Sequence, residues 1–202
     1  MSESHGIYLY DRHTGTYVEA SLIEGAGVDT GIRADAAWAQ MLTASVVNGP
    51  EVPVRPEHAH WEWAKKIECV QGLLPYTTFS VECAGEVQGL MIVRTSGDVA
   101  LLPQKRALPL VYIAYLATAP WNWAPYLPTP RFRGVGQAML LGAINLSLEL
   151  DFKGRVGLHS LPQSESWYVE QGMTKLGDFA KKGNLAYYEM SEESARQFVG
   201  QE

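Results

Sequence analysis

The sequence predicts an α+β domain, a sheet with flanking helices, and three observations carry that expectation. Strand-like runs come in pairs across short turns at the start, middle and end of the chain. One apolar β-branched run, Val111 to Ala117, leads through a glycine–arginine loop into a long apolar helix. No low-complexity tract, linker or internal repeat divides the 202 residues, so a single domain, residues 1–202, is expected.

In chain order, Ile7–Tyr10 and Thr16–Ile23 flank the turn cluster Asp11-Arg12-His13-Thr14-Gly15 and read as an opening hairpin. Gly25 to Gly31 reads as a loop. Residues 33–47 carry Ala37, Met41, Trp38 and Leu42 at helical spacing, and Asn48-Gly49-Pro50 stops that helix. A second helix is expected over 57–73, with Trp61, Ala64, Glu68 and Gln71 on one line and Trp63, Ile67, Val70 and Leu74 on another. Tyr76–Cys83 and Val87–Arg94 around Ala84-Gly85-Glu86 form the middle hairpin. A strand at 110–118, a helix at 135–150, a strand at 155–161 and a helix at 163–171 follow. The pair 174–179 and 185–190, and a short helix from about Glu192, complete the order ββ-α-α-β-β-β-α-β-α-β-β-α.

The chain is acidic overall, with a net charge of −6. Yet Val99 to Leu148 holds no Asp or Glu, while Lys105, Arg106, Arg131 and Arg133 give it +4. A cationic segment in an acidic chain points to a small anionic ligand and argues against a nucleic-acid partner. No run resembles a membrane span, and the N-terminus lacks a basic start and an apolar signal core, so a cytoplasmic protein is expected. Cys69 and Cys83 lie on separate elements without adjacent histidines. They read as two buried thiols, with neither a disulfide nor a zinc site expected.

Within the cationic segment, Arg131-Phe132-Arg133-Gly134-Val135-Gly136 opens the apolar helix directly. Glycines let backbone N–H groups approach an anion, the helix N-terminus adds partial positive charge, and the arginines add full charge. A G-x-x-x-x-G-K-[ST] loop is absent. Met139 stands where a dinucleotide fingerprint needs a small residue.

The segment resembles the acyl-CoA-binding motif of the GNAT (Gcn5-related) N-acetyltransferases, [Q/R]-x-x-G-x-[G/A], in Arg131-x-x-Gly134-x-Gly136. Two further stretches resemble that family in the expected order. Leu116-Ala117-Thr118-Ala119-Pro120 is similar to the end of its fourth strand, and Trp167-Tyr168 through Gly172-Met173 to its later "FYxxxGF" helix end. The matched pieces span about residues 110–190. The resemblance implies a mixed, mostly antiparallel central sheet, splayed between the family's fourth and fifth strands and flanked by helices. The chain adds an extra N-terminal hairpin.

It also implies acetyl-CoA-dependent N-acetyl transfer to an amine of a small molecule or protein, with acetyl-CoA as acyl donor. The pyrophosphate would lie against backbone N–H groups of Phe132, Arg133, Gly134, Val135, Gly136 and Gln137, with the Arg131 and Arg133 side chains nearby. Leu116, Ala117 and Thr118 would line the pantetheine and acetyl oxygen. Tyr168 would protonate the departing thiolate. The family glutamate on the fourth strand is replaced by Tyr112, so His159 and Glu82 become the candidate bases. Trp61, Tyr112, Trp121, Trp123 and Tyr126 would bound the acceptor. A catalytically silent acyl-CoA-binding sensor or scaffold, or a toxin acetylating aminoacyl-tRNA, fits the same motifs. The acidic balance disfavours the toxin. The reading allows a homodimer.

Overall fold

The computed structural model describes residues 3–48, 56–103, 107–123 and 129–200, with side chains between 44 and 48 left undescribed. Lys105, Arg106 and Tyr126 lie outside the described residues. The described strands hydrogen-bond as one mixed, mostly antiparallel sheet flanked by helices. They are β1 (Glu3–Asp11), β2 (Thr16–Glu24), β3 (Tyr76–Cys83), β4 (Glu86–Arg94), β5 (Val111–Thr118), β6 (Phe132–Arg133), β7 (Val156–Ser160), β8 (Thr174–Phe179) and β9 (Leu185–Met190), in the order β6-β1-β2-β3-β4-β5-β7-β9-β8. The helices are α1 (Val28–Asn48), α2 (Trp63–Val70), α3 (Val135–Glu149), α4 (Glu165–Glu170) and α5 (Glu192–Val199).

By contact density the chain forms two compact units, and β3, β4, β5 and α3 each contribute to both. The first holds residues 1–73, 78–91 and 116–139. Its β1–β2 pairing runs Glu3↔Glu24 to Asp11↔Thr16, and β3 adds on through Ser21↔Glu82 to Glu24↔Phe79. That register puts Leu9, Ala20, Leu22, Val81 and Cys83 on one buried face by strand alternation. The two-residue turn Ala84-Gly85 joins β3 to β4 with both φ values positive, +53° and +78°, as a type I′ hairpin requires.

Two helix limits here differ from the sequence expectation. α1 begins at Val28, five residues early, and runs through Gly31. A Cβ on Gly31 would lie 2.7 Å from the Ala64 amide nitrogen, so the glycine permits a close α1–α2 crossing. Periodicity penalises a helical glycine and cannot see that crossing. α2 is only eight residues long. The Asp35 carboxylate accepts from Trp63 N (2.8 Å) and Ala64 N (2.9 Å), capping the helix there from another element. Trp61 therefore precedes α2, and Leu74, expected on its apolar line, is 98% exposed.

The second unit holds residues 74–77, 92–115 and 140–202. β7 pairs parallel with β5 through Val111↔Val156, Tyr112↔Gly157 and Ile113↔Leu158, and antiparallel with β9 from Val156↔Met190 to Ser160↔Ala186. The β5–β7 register ends at Ile113 although β5 continues to Thr118, as a sheet splayed at this pair requires. Leu110, Tyr112, Tyr187 and Ala100 form a buried cluster. The Glu189 carboxylate is fully buried and accepts from Leu101 N (2.7 Å), Leu102 N (3.2 Å) and Tyr187 OH (3.3 Å). Both cysteines are free, but Cys69 is exposed, contrary to expectation, because it lies on the outer side of the short α2.

Candidate active site

The anchor of the glycine–arginine loop is a polar network that the sequence reading missed. Gln88, fully buried on β4, accepts at Oε1 from Trp121 Nε1 (2.8 Å) and Asn122 Nδ2 (3.0 Å). Its backbone carbonyl accepts from Ala119 N (2.8 Å). Asn122 Oδ1 accepts from Phe132 N (3.0 Å), and the Trp121 carbonyl accepts from Arg131 N (2.8 Å). The signal for Gln88 was present, a lone amide inside the apolar run 87–93.

Phe132 and Arg133, read as loop, form β6, pairing Tyr10↔Arg133 and Asp11↔Phe132. The Arg131 carbonyl accepts from Arg12 N (2.9 Å), extending the same register. Two elements distant in sequence thus fix the loop, and a long-range strand of two residues leaves no periodicity to read. Phe132's amide is spent on Asn122, which takes it out of the expected phosphate-facing row.

Gly134 follows with φ +104°, a conformation that favours glycine, and turns the chain into α3. The first helical bond is Ala138 N to Gly134 O (2.8 Å), so the amides of Val135, Gly136 and Gln137 have no intrahelical acceptor. Arg133 and Gln137 are exposed beside them. Arg131 stacks on the Phe132 ring (4.6 Å to the centroid) and pairs with Glu86 (3.1 Å). Gly89 on β4 lets α3 approach, since a Cβ there would lie 2.7 Å from Met139 Cε and 2.9 Å from Val135 Cγ1. The arrangement offers an anion three helix amides, the α3 dipole and guanidinium charge.

Leu116 and Thr118 are half-buried and Ala117 is buried. Trp121 and Trp123 are half-buried, and the Trp121 indole N–H is committed to Gln88. Trp61 packs edge-on to Trp63 at 5.8 Å, with Lys66 Nζ 5.0 Å from its ring centroid. Glu82 on β3 pairs with Arg33 at 2.7 Å.

In the second unit, Tyr112 OH and His159 Nδ1 are 2.8 Å apart, and the imidazole is packed among Phe179, Tyr187 and Tyr112. Its Nε2 is buried and has no hydrogen-bond partner. Burial, and then Lys182, lower the His159 pKa. Burial raises that of Tyr112, over whose ring Arg94 and Lys182 are placed at 5.2 and 5.8 Å. Tyr168 is buried between Trp167 (5.0 Å) and Tyr188 (6.1 Å), and desolvation raises its pKa strongly.

No protein-family sequence model matches the chain, and no curated protein matches it in sequence. Solved structures do. The GNAT domain of S. lividans PAT superposes with a TM-score of 0.55 at 15% identity, covering 93% of this chain and 96% of that one. The PaiA N-acetyltransferase from Thermoplasma acidophilum, in complex with coenzyme A, gives 0.53 at 11%, covering 84% and 98%. A bacterial toxin gives 0.54 at 14%, covering 73% and 84%. Among the described residues no helix is long and apolar enough to cross a membrane. The central sheet, the helix that follows the glycine–arginine loop and these superpositions agree: the chain has the fold of the GNAT acetyltransferases.

Proposed function

We propose that this protein binds an acyl-CoA, with acetyl-CoA the expected donor, and transfers the acyl group to an amine. One observation carries the reading. The amides of Val135, Gly136 and Gln137 open a fifteen-residue helix directly after Arg131 and Arg133, on a loop held by the Gln88–Asn122 network. Such an arrangement supports the binding of a phosphate group there. It supports Arg131, Arg133, Gly134, Val135, Gly136 and Gln137 as the phosphate-holding set, with Phe132 acting through its ring beneath Arg131. The likeness to a coenzyme A complex supports the same ligand. Leu116, Ala117 and Thr118 would then supply the strand end along which the pantetheine lies.

Attack of the amine nitrogen on the thioester carbonyl forms the C–N bond, and collapse of the adduct breaks the C–S bond and releases thiolate. A buried phenol with a raised pKa is a poor spontaneous donor to a thiolate whose conjugate acid has a pKa of about 8.5. Tyr168 therefore serves as a hydrogen-bond donor to the developing thiolate, its proton moving only as the bond breaks. Both candidate bases are already engaged. Glu82 is bound to Arg33, and His159 holds Tyr112 with one nitrogen while the other is buried. The acceptor accordingly arrives as the neutral amine, having lost its proton to water, and the rate should climb with pH toward the amine's own pKa. Trp61, Trp121 and Trp123 remain the proposed acceptor-side residues, a small-molecule or protein amine being the acceptor.

The test is thermal unfolding with and without coenzyme A, on wild type and on Arg131→Ala/Arg133→Ala. Ligand at 100 times its Kd adds about 2.7 kcal/mol. A shift present in wild type and lost in the double variant supports the phosphate site. Release of thiol from acetyl-CoA on adding amines then separates an enzyme from a silent acyl-CoA-binding module. No shift in wild type refutes the proposal.

A further inference from the structure

Arg131 carries one contact that its own placement does not need. The main chain already fixes it: Arg131 N donates to the Trp121 carbonyl (2.8 Å), and its own carbonyl accepts from Arg12 N (2.9 Å). The guanidinium rests on the Phe132 ring, 4.6 Å from the centroid. Phe132 is itself buried and tied through its amide to Asn122 (3.0 Å). Glu86, the first residue of β4, adds a carboxylate to this, with Oε2 3.1 Å from Arg131 Nη1.

The main chain at Glu86 is held separately from its side chain. Gln88 Nε2 donates to the Glu86 carbonyl (3.4 Å) and to the Cys83 carbonyl (3.3 Å). The amide that receives Trp121 and Asn122 at its oxygen thus secures the β3–β4 turn at its nitrogen. The Glu86 side chain is 48% exposed and that of Arg131 34%, so the carboxylate can turn to solvent with little loss of packing. Its hold on Arg131 is a one-point contact, Nη1 to Oε2, to a group with five N–H donors. Arg94 and Asp98, by contrast, form a two-point fork with 2.7 Å at each oxygen, the geometry that locks a guanidinium. An exposed one-point pair is the weaker kind and yields to a stronger anion.

We propose that Glu86 competes with the ligand's phosphate for Arg131, and so weakens cofactor binding and hastens the release of coenzyme A. The inference rests on the acyl-CoA reading above and adds an affinity-setting residue to it. A carboxylate that stays beside Arg131 repels an arriving phosphate. Turning to solvent relieves that repulsion but breaks the ion pair. Either way the ligand gains less from Arg131 than the guanidinium alone would give.

The test is calorimetry of coenzyme A binding at low salt on wild type, Glu86→Gln, Arg131→Ala and the double variant, with dissociation rates by stopped flow. Glu86→Gln keeps the shape of the side chain and removes its charge. Expected is a Kd about fivefold lower in Glu86→Gln, the equivalent of an exposed ion pair of about 1 kcal/mol, carried mostly by slower dissociation. In the Arg131→Ala background the same substitution changes Kd by about twofold or less. Structural damage at position 86 does not produce a gain in affinity. An unchanged Kd in Glu86→Gln overturns the inference. A higher Kd does so too, because Glu86 would then hold Arg131 in place for the ligand. An equal gain in both backgrounds also overturns it, since the carboxylate would then act on the ligand without Arg131. Failure of wild type to bind coenzyme A at all overturns the acyl-CoA reading, and this inference with it.

Discussion

Asn122→Ala should loosen the glycine–arginine loop, and the cost can be worked from the contacts. The substitution removes the acceptor of Phe132 N (3.0 Å) and a donor to Gln88 Oε1 (3.0 Å). Gln88 Oε1 keeps Trp121 Nε1 at 2.8 Å, so it stays satisfied. Phe132 is only 3% exposed, and its amide is left buried without a partner. An orphaned buried donor costs about 1–3 kcal/mol, whereas the bond to Gln88 is worth about 1 kcal/mol or less once its acceptor has a second donor. The sum, roughly 1–4 kcal/mol, lowers Tm by about 2–16 °C for a chain of this size. Thermal unfolding by circular dichroism measures it, with the exposed Asn145→Ala on α3 as control, expected within about 0.5 kcal/mol of wild type. A loss in Asn122→Ala no larger than the control's refutes the reasoning. Phe132 N would then find an acceptor elsewhere, and the loop would not hang on this network.

Other outcomes follow from single contacts. His58 has a folded pKa of about 4 against about 6.5 unfolded, so between those values the unfolded chain binds more protons. Stability is therefore full above about pH 6.5 and declines as pH falls toward 4, by an amount of order 3 kcal/mol, and His58→Asn should flatten that part of a urea-unfolding profile. Gly89→Ala drives a Cβ into the buried Met139 and Val135 and should cost about 1–3 kcal/mol. Gly6→Ala, with nothing within 4 Å of its Cβ, should be close to neutral, and equal effects would sink the packing argument. The Glu165 carboxyl is held below its ordinary pKa by the Lys175 ammonium and then by Tyr188 OH, both 2.9 Å from Oε2. That contribution is present above about pH 4.3 and declines as pH falls through the lowered folded pKa, so Glu165→Gln should be less stable than wild type at pH 7, with the difference shrinking in acid.

The residues legible in sequence are those whose signal is local. The apolar run Val111–Ala117, the uncharged helix after Gly134 and the Ala84-Gly85 hairpin turn all follow from side-chain period and backbone freedom within a few residues. Gly134 was legible for the same reason: its turn into α3 lies within consecutive residues. What the sequence by itself determined is thus most of the order of elements and the place of the glycine–arginine loop.

The tertiary structure decided where each element begins and what its polar groups are spent on. α1 runs through Gly31 because Ala64 packs against it, and α2 starts at Trp63 because Asp35, twenty-eight residues earlier, supplies the cap. Phe132 and Arg133 became a strand because Tyr10 and Asp11 were there to pair with. His159 offered an intrinsic pKa suited to a base, but an aromatic cage and the Tyr112 hydroxyl claimed both sides of its ring. In each case the deciding partner lies far away along the chain. Hydrogen bonds and packing act over a few ångströms of space, and sequence order fixes such distances only within an element.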